Sequence, residues 1–322
     1  MKRIILLFIS VFVFACTVMT IVGGKENNSG YIKYAEFNVT GEALQKAVDY
    51  DIASQQEDTK LSCIEILSYL GAKYGGDFSK YKQSDMDSFC SQLKDGKSVS
   101  ELTKDLKYYT YYYNVYSAVL GSMVGEYEEE QSDGSMEQSY GIRWFSPIAK
   151  TFPYSHYDDF GAKRTYGYTR PHLGHDLMSA VGTPVIAVES GTVECLGWNR
   201  YGGWRIGIRS NDSKRYWYYA HLRQNRPYAE NLKEGDTVTA GDVIGYVGRT
   251  GYSDTENING ITESHLHIGL ELVFDERQKE SDNEIWVDMY ALTNILEQHK
   301  SSTLRNSETK EFSRQYKYNE LR

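Results

Sequence analysis

Apolar residues recur at helical spacing through the first half of the chain. Thr40 is a residue type favoured at helix N-termini, and Leu44, Val48 and Ile52 follow it at intervals of four. The same kind of pattern predicts further helices over residues 60–74, 85–93, 99–104 and 108–127. We therefore expect a small helical domain over residues 40–127, to which the pattern assigns no chemistry.

The pattern changes at about residue 142. Short runs rich in Val, Ile, Thr and aromatic residues then alternate with glycine-containing turns, which is typical of an antiparallel β domain. The strand candidates are residues 184–188, 191–196, 204–208, 216–220, 243–247 and 267–272. A short helix over residues 288–300 completes a domain predicted to span residues 142–300. The fold class is therefore α+β.

The remaining segments are predicted to be a membrane anchor, two linkers and a tail. Lys2 and Arg3 precede an uncharged stretch about long enough to cross a bilayer, so residues 1–24 are interpreted as an anchor with the rest of the chain outside; a cleaved signal peptide is the alternative. Residues 25–39 are predicted to be a polar linker, residues 128–141 an acidic linker, and residues 301–322 a loose polar tail.

Composition excludes some classes of function. The 322 residues carry a formal charge of −9 without a clustered basic run in the predicted folded segments, which argues against a nucleic-acid partner. No CxxC zinc motif occurs, although Cys63 and Cys90 could pair in an oxidising compartment.

The histidines give the main chemical signal, since all seven lie in the predicted β domain and five of them occur in suggestive contexts. His172 and Asp176 lie four positions apart, with Gly174 between them as a possible bend. His265 and His267 begin a strand, where residues i and i+2 share a face. Zinc that keeps a position open for water commonly has three protein ligands, and His172, Asp176 and one histidine of the pair would supply them. His221 ends another strand and supplies a further imidazole for proton transfer.

These motifs resemble the M23 family of metallopeptidases, the lysostaphin-like or LytM-type cell-wall endopeptidases. The family pattern combines HxxxD, a histidine in a Tyr-Ala-His-Leu context and a distant HxH; residues 172–176, 219–222 and 265–267 match these parts. The resemblance implies that His172, Asp176 and His267 bind one zinc ion. It also implies that His221 and His265 act in catalysis.

The resemblance further implies a zinc endopeptidase that cuts peptide bonds in peptidoglycan stems or cross-links. With the N-terminal segment, it places the protein at the extracytoplasmic face of a bacterial cell membrane, or outside the cell if that segment is cleaved. The helical domain could bind a protein partner. Residues 252–264 form a longer and more acidic stretch than the short turn typical of the family, which leaves substrate preference open.

Two other hypotheses compete with this one. A membrane-tethered, non-catalytic scaffold of the same family would bind a partner protein, for example in sporulation, but it would be expected to have a degenerate set of ligands. Residues 182–187 and 235–241 also resemble biotinyl or lipoyl carrier repeats, yet the corresponding turn, residues 189–191, lacks the lysine that such carriers modify. Several aromatic residues could either line a substrate groove or pack internally: Tyr154, Tyr166, Tyr168, Trp198 and Trp204.

Overall fold

The computed structural model of the chain describes residues 35–279 and 283–321, which belong to one compact unit. The predicted anchor over residues 1–24 and most of the predicted linker over residues 25–39 lie outside the described residues. Within those ranges no helix has both the length and the apolar character needed to cross a bilayer.

Helices occupy the first part of the described chain, largely as the periodicity predicts. They are α1 (Gly41–Ser54), α2 (Cys63–Tyr74), α3 (Gln83–Lys94), α4 (Val99–Thr103) and α5 (Tyr109–Leu120). The hydroxyl of Thr40 accepts a hydrogen bond from the Ala43 amide, so the predicted start of α1 is capped by its side chain. Helix α5 ends seven residues before the predicted bound of 127 because the chain enters a strand at Val124.

The predicted acidic linker over residues 128–141 is instead part of a β-hairpin. Strands β1 (Val124–Glu130) and β2 (Met136–Ile142) pair along their whole length, and β16 (Tyr318–Glu320) pairs with the other edge of β1. The rings of Tyr127 and Tyr318 lie 5.3 Å apart, so the hairpin has an aromatic contact under its glutamates. The polar tail predicted to be loose therefore contributes a strand to this sheet.

The second half of the described chain is built on an antiparallel sheet in the strand order β10-β7-β8-β9-β12-β13, and β5 also pairs with β12. These strands are β5 (His175–Met178), β7 (Gly191–Asn199), β8 (Gly203–Ser210), β9 (Arg215–Ala220), β10 (Thr237–Val238), β12 (His265–Leu272) and β13 (Ile285–Val287). Shorter pairs surround it: β3 (Lys163–Tyr166) with β4 (Tyr168–Pro171), β6 (Pro184–Ile186) with β11 (Val243–Tyr246), and β14 (Thr303–Arg305) with β15 (Phe312–Arg314). The expected closing helix is α6 (Tyr290–Leu296).

The helices and the sheet share a hydrophobic core. One continuous cluster of buried side chains includes Leu44 and Ile66 from the helices and Trp217 and Leu270 from the sheet. The side chain of Arg215 is fully buried at this junction, where it donates to the backbone carbonyl of Ala118 at 2.6 Å. The predicted helical domain and the predicted β domain therefore pack against each other through one continuous core.

The described cysteines are all free thiols. Cys63 and Cys90 are buried in the core, and Cys195 is half-buried on β7. The pairing of Cys63 with Cys90 that the sequence allows is not present among the described residues.

Candidate metal centre and groove

Strand pairing brings the HxxxD and HxH motifs together. Strand β12 lies between β5 and β9 along its first residues, and its register places His267 beside Asp176 on one side and beside Ala220 on the other. His221 directly follows β9 with a positive φ of 60°, and its backbone N–H donates to the Gly202 carbonyl at 2.7 Å. All five predicted site residues thus lie at one end of β12.

Three of these residues form a compact group of possible metal ligands. The His172 Nε2 atom lies 3.0 Å from Asp176 Oδ1 and 2.9 Å from His267 Nδ1, and the last two atoms are 3.0 Å apart. These three side chains are the group in the described chain whose donor atoms could hold a metal ion. Each of these three atoms can offer a lone pair, whereas a hydrogen bond between any two of them needs a proton on one. A cation at the centre of the triangle would be bound by all three lone pairs at once.

Gly174 makes this close approach possible. A Cβ atom at this position would lie 2.5 Å from the His267 ring and 2.7 Å from the Ile268 carbonyl oxygen. The bend that the sequence suggests between His172 and Asp176 therefore also leaves the space that His267 occupies.

A second ring of polar contacts surrounds the donor group. Asp159 Oδ1 lies 3.1 Å from His172 Nδ1, and Arg164 contacts Asp159 while donating to Asp176 Oδ2 at 3.0 Å. In the structure His172 Nδ1 lies 3.2 Å from Arg164 Nη2, and Asp159 Oδ1 is buried without a hydrogen-bond partner. Arg164 can only donate, so when Nε2 binds a metal, the proton that Nδ1 then carries has the Asp159 carboxylate as its acceptor. That tautomer leaves the Nε2 lone pair directed at the other two donor atoms. No regular spacing in the sequence marks Asp159 or Arg164, and sequence reasoning missed both.

Backbone carbonyl groups orient the other two histidines of the site. His221 Nδ1 lies 2.9 Å from the Thr250 carbonyl oxygen, and His265 Nδ1 lies 2.9 Å from the Glu263 carbonyl oxygen. Because a carbonyl oxygen only accepts, each Nδ1 carries a proton and each Nε2 is available to accept one. The two rings are 4.8 Å apart, and His265 Nε2 is 3.7 Å from Asp176 Oδ1.

Burial and hydrogen bonding set the charge state of this centre. Burial lowers the pKa of His221 well below its usual value, and the neighbouring rings of His265 and His267 lower it further. Burial alone would raise the pKa of Asp176, but hydrogen bonds from His172 and His267 outweigh it and hold that pKa far below its usual value. Burial also lowers the pKa of His267, so an ionised Asp176 carboxylate lies beside an uncharged His267 imidazole, the forms in which these two groups bind metals.

An open groove of about 730 Å³ runs over the donor group. His265, Tyr218 and Tyr252 line it near the centre, and Glu271 lies further along β12 on the same face as His267. Of the aromatic residues predicted either to line a groove or to pack internally, Tyr168 lines it, whereas Tyr154, Tyr166, Trp198 and Trp204 do not belong to its lining.

His175 points away from this group, as strand alternation predicts. It is buried, and its Nε2 lies 2.7 Å from His156 Nδ1. Burial lowers the pKa of His175 to about 4. His156 belongs to none of the sequence motifs. It is the hydrogen-bond partner of His175, the buried residue next to Asp176.

In this open groove, donor atoms for one cation lie beside two imidazoles that can exchange protons. This arrangement is that of a metal-dependent hydrolase. The family follows from comparison with known proteins: residues 170–281 match the model of peptidase family M23. The chain carries a domain of this family, as the resemblance in the sequence predicts.

Two relatives illustrate the extent of the sequence similarity. The L-Ala–D-Glu endopeptidase of Bacillus subtilis is 40% identical over 124 residues, which are 38% of this chain and 36% of that protein. Lysostaphin of Staphylococcus simulans is 41% identical over 98 residues, 30% of this chain and 17% of that protein. The chain thus spans about a third of the length of the first relative and less than a fifth of the second.

A solved structure matches more of the chain. The crystal structure of a putative glycyl-glycine endopeptidase lytM from Ruminococcus gnavus covers 82% of this chain and 98% of its own, at 26% identity and a TM-score of 0.50. That coverage exceeds the 112 residues of the family match, so the shared fold extends beyond the M23 domain.

Proposed function

We propose that this protein is a zinc-dependent endopeptidase that hydrolyses peptide bonds in the stems or cross-links of peptidoglycan. The observation that carries the proposal is the triangle of His172 Nε2, Asp176 Oδ1 and His267 Nδ1, with sides of 2.9–3.0 Å. Two imidazoles and one carboxylate form a ligand set typical of catalytic zinc, whose bonds of about 2.0–2.2 Å suit donor atoms this close together. Peptide hydrolysis is supported by the M23 domain and by a relative named as an endopeptidase.

In this proposal His172, Asp176 and His267 hold the ion, and His221 and His265 handle protons. When bound, the zinc ion supplies a Lewis acid that lowers the pKa of water and polarises a carbonyl group. The unprotonated Nε2 of His221 or His265 can accept a proton from the attacking water and deliver it to the leaving amine. A histidine that has taken up this proton also stabilises the negative charge that develops on the scissile carbonyl oxygen.

The substrate suggests the location. Peptidoglycan lies outside the cytoplasmic membrane, and Lys2 and Arg3 before the uncharged stretch of residues 4–24 support an N-terminal anchor with the peptidase on the extracytoplasmic side. Binding of a protein partner through the helices stays a prediction. The non-catalytic scaffold is not favoured, because its expected loss of ligand residues is not found.

The test compares zinc content and muropeptide release for the purified full chain and three histidine variants. We expect one zinc ion per chain in the wild type and in His265→Ala, and loss of zinc in His172→Ala. Digestion of purified cell wall should be lost in both variants, and removal of zinc with a chelator should abolish it reversibly. His156→Ala is the matched control and should retain both properties, because His156 is not among the donor atoms. A wild-type protein without zinc and without muropeptide release would contradict the proposal.

A further inference from the structure

The groove is also lined by Arg170, near the proposed catalytic histidines. The proposed mechanism does not use this arginine. The guanidinium carbon of Arg170 lies 4.6 Å from the centre of the Tyr201 ring and 5.4 Å from that of Tyr252. Its Nη2 donates to the Tyr252 hydroxyl at 3.3 Å, and Tyr252 is stacked on Tyr166 at 4.9 Å with an interplanar angle of 7°. The guanidinium is therefore held in place by aromatic faces and one hydrogen bond.

The charge of Arg170 lacks a carboxylate partner in the part of the chain that the structure describes. Its Nη1 atom is buried and has no hydrogen-bond acceptor, and no ion pair joins Arg170 to Glu263, a carboxylate that lines the same groove. Arg200 belongs to the same aromatic cluster, but it pairs with Asp254 at 3.3 Å and does not line the groove. A buried N–H of a cation without an acceptor is unfavourable, so the site is suited to an anion from outside.

Arg170, with its unpaired N–H group, lies near the proposed reaction centre. Arg170 precedes the proposed zinc ligand His172 by two residues, and its neighbour Tyr252 has its ring 6.0 Å from that of His221. An extended peptide advances about 3.3 Å per residue, so a group bound by Arg170 belongs to a substrate residue within a few positions of the scissile bond.

We propose that Arg170 determines specificity by binding a free carboxylate of the substrate peptide close to the scissile bond. The planar fork of a guanidinium matches a carboxylate, and Arg170 has the unsatisfied N–H needed for such a pair. This inference rests on the proposed function and narrows its substrate class. An acidic stem peptide, in which D-glutamate keeps its α-carboxylate free, fits the site. A bridge made of glycine offers no such group within the chain.

The experiment compares two cell-wall substrates that differ in one functional group: peptidoglycan with free D-glutamate α-carboxylates and the same polymer with these groups amidated. We expect the wild-type protein to prefer the carboxylate form by about ten- to a hundredfold in kcat/KM, the range for a hydrogen bond to a charged group. Arg170→Gln should remove this preference mainly by slowing cleavage of the acidic substrate. Arg170→Lys should restore part of it, because lysine keeps the charge but not the fork.

Arg200→Gln is the matched control and should leave the ratio of the two rates at its wild-type value. Binding of the soluble acidic and amidated fragments to zinc-loaded His265→Ala gives a second measurement, in which the same preference should be present without turnover. Equal rates on both polymers in the wild type, or an equal loss on both in Arg170→Gln, would overturn this inference while leaving the endopeptidase intact. Release from neither polymer would overturn the proposed function and the inference with it.

Discussion

At the scale of single residues, the site depends on neighbours that the motifs do not contain. The lone pair of His172 Nε2 is available to a metal only if Nδ1 carries the proton. Asp159 Oδ1 lies 3.1 Å from Nδ1 and has no hydrogen-bond partner of its own, so it is free to accept that proton's hydrogen bond when a metal is bound. Asp159 is itself buried and is held by Arg164, which also contacts Asp176. Arg164 thus connects the Asp159 carboxylate with that of Asp176, which is one of the three possible metal ligands.

We expect Asp159→Asn to weaken zinc binding by about ten- to a hundredfold, because the amide accepts a hydrogen bond from His172 less strongly than the carboxylate does. The measurement is the zinc dissociation constant in competition with a chromophoric chelator, with the melting temperature of the metal-free protein recorded in parallel. Asp158→Asn is the control, since Asp158 is an adjacent but exposed carboxylate. An equal loss of affinity in both variants would argue against a role through His172.

The sequence identified the five residues that the structure brings together because each of them lies in a short motif with a fixed spacing. It did not identify Asp159, Arg164 or Arg170 as site residues. Asp159 lies 13 positions before His172, in a stretch without clear periodicity. Its contact depends on how the chain folds back between residues 159 and 172, where the Gly161 N–H donates to the His172 carbonyl.

At the scale of secondary-structure elements, β12 organises the site. Pairing with β5 places His267 beside Asp176, and strand alternation directs His265 and His267 to the same face. The segment before β5 must then pass close to the His267 ring, which it does at Gly174.

Gly174→Ala should therefore reduce zinc affinity and activity together, because the added Cβ would lie 2.5 Å from the His267 ring and force that ring or the strand to move. Zinc binding measured by calorimetry and wall digestion are the two readouts. Gly197→Ala on β7 of the same sheet is the control, since a Cβ there meets no atom within 4 Å. Full zinc affinity in Gly174→Ala would show that the bend adapts without disturbing the ligands.

Helices and strands with a strong apolar period were predicted within a few residues of their observed bounds, whereas the hairpin of β1 and β2 was not. Its strands are rich in glutamate, which is depleted in strands, and most of their residues are only half-buried. The pairing that stabilises β1 comes partly from β16, which is almost two hundred residues away in the chain. Local sequence patterns contain no information about such a partner.

At the scale of the whole molecule, Arg215 links the helices to the sheet. It makes a paired contact with Glu189 at 2.9 Å through Nε and Nη2, and it donates to the Ala118 carbonyl at the end of α5. Trp217 Nε1 donates to the same glutamate at 2.7 Å. Local sequence patterns do not indicate this junction, because its members are distant in the chain.

We expect Arg215→Met to lower the free energy of unfolding by about 3–5 kcal/mol, because it leaves the Glu189 charge buried without its cation. Arg226→Met is the control: Arg226 pairs with Glu311 through a side chain that is 61% exposed, and its loss should change stability by less than about 1 kcal/mol. Urea unfolding monitored by tryptophan fluorescence and far-ultraviolet circular dichroism provides the measurement.

The same experiment tests the shared core. The five tryptophans all lie after residue 142, so fluorescence follows the sheet, whereas circular dichroism is dominated by the helices. A shared core predicts that the two signals change at the same urea concentration. Separate transitions would indicate that the helices and the sheet unfold independently.

The free, buried thiols of Cys63 and Cys90 have a practical consequence. The described cysteines form no cross-link, so the described part of the fold contains no disulfide that a reducing compartment would break. The described part of the fold can therefore form in a reducing compartment as well as in an oxidising one.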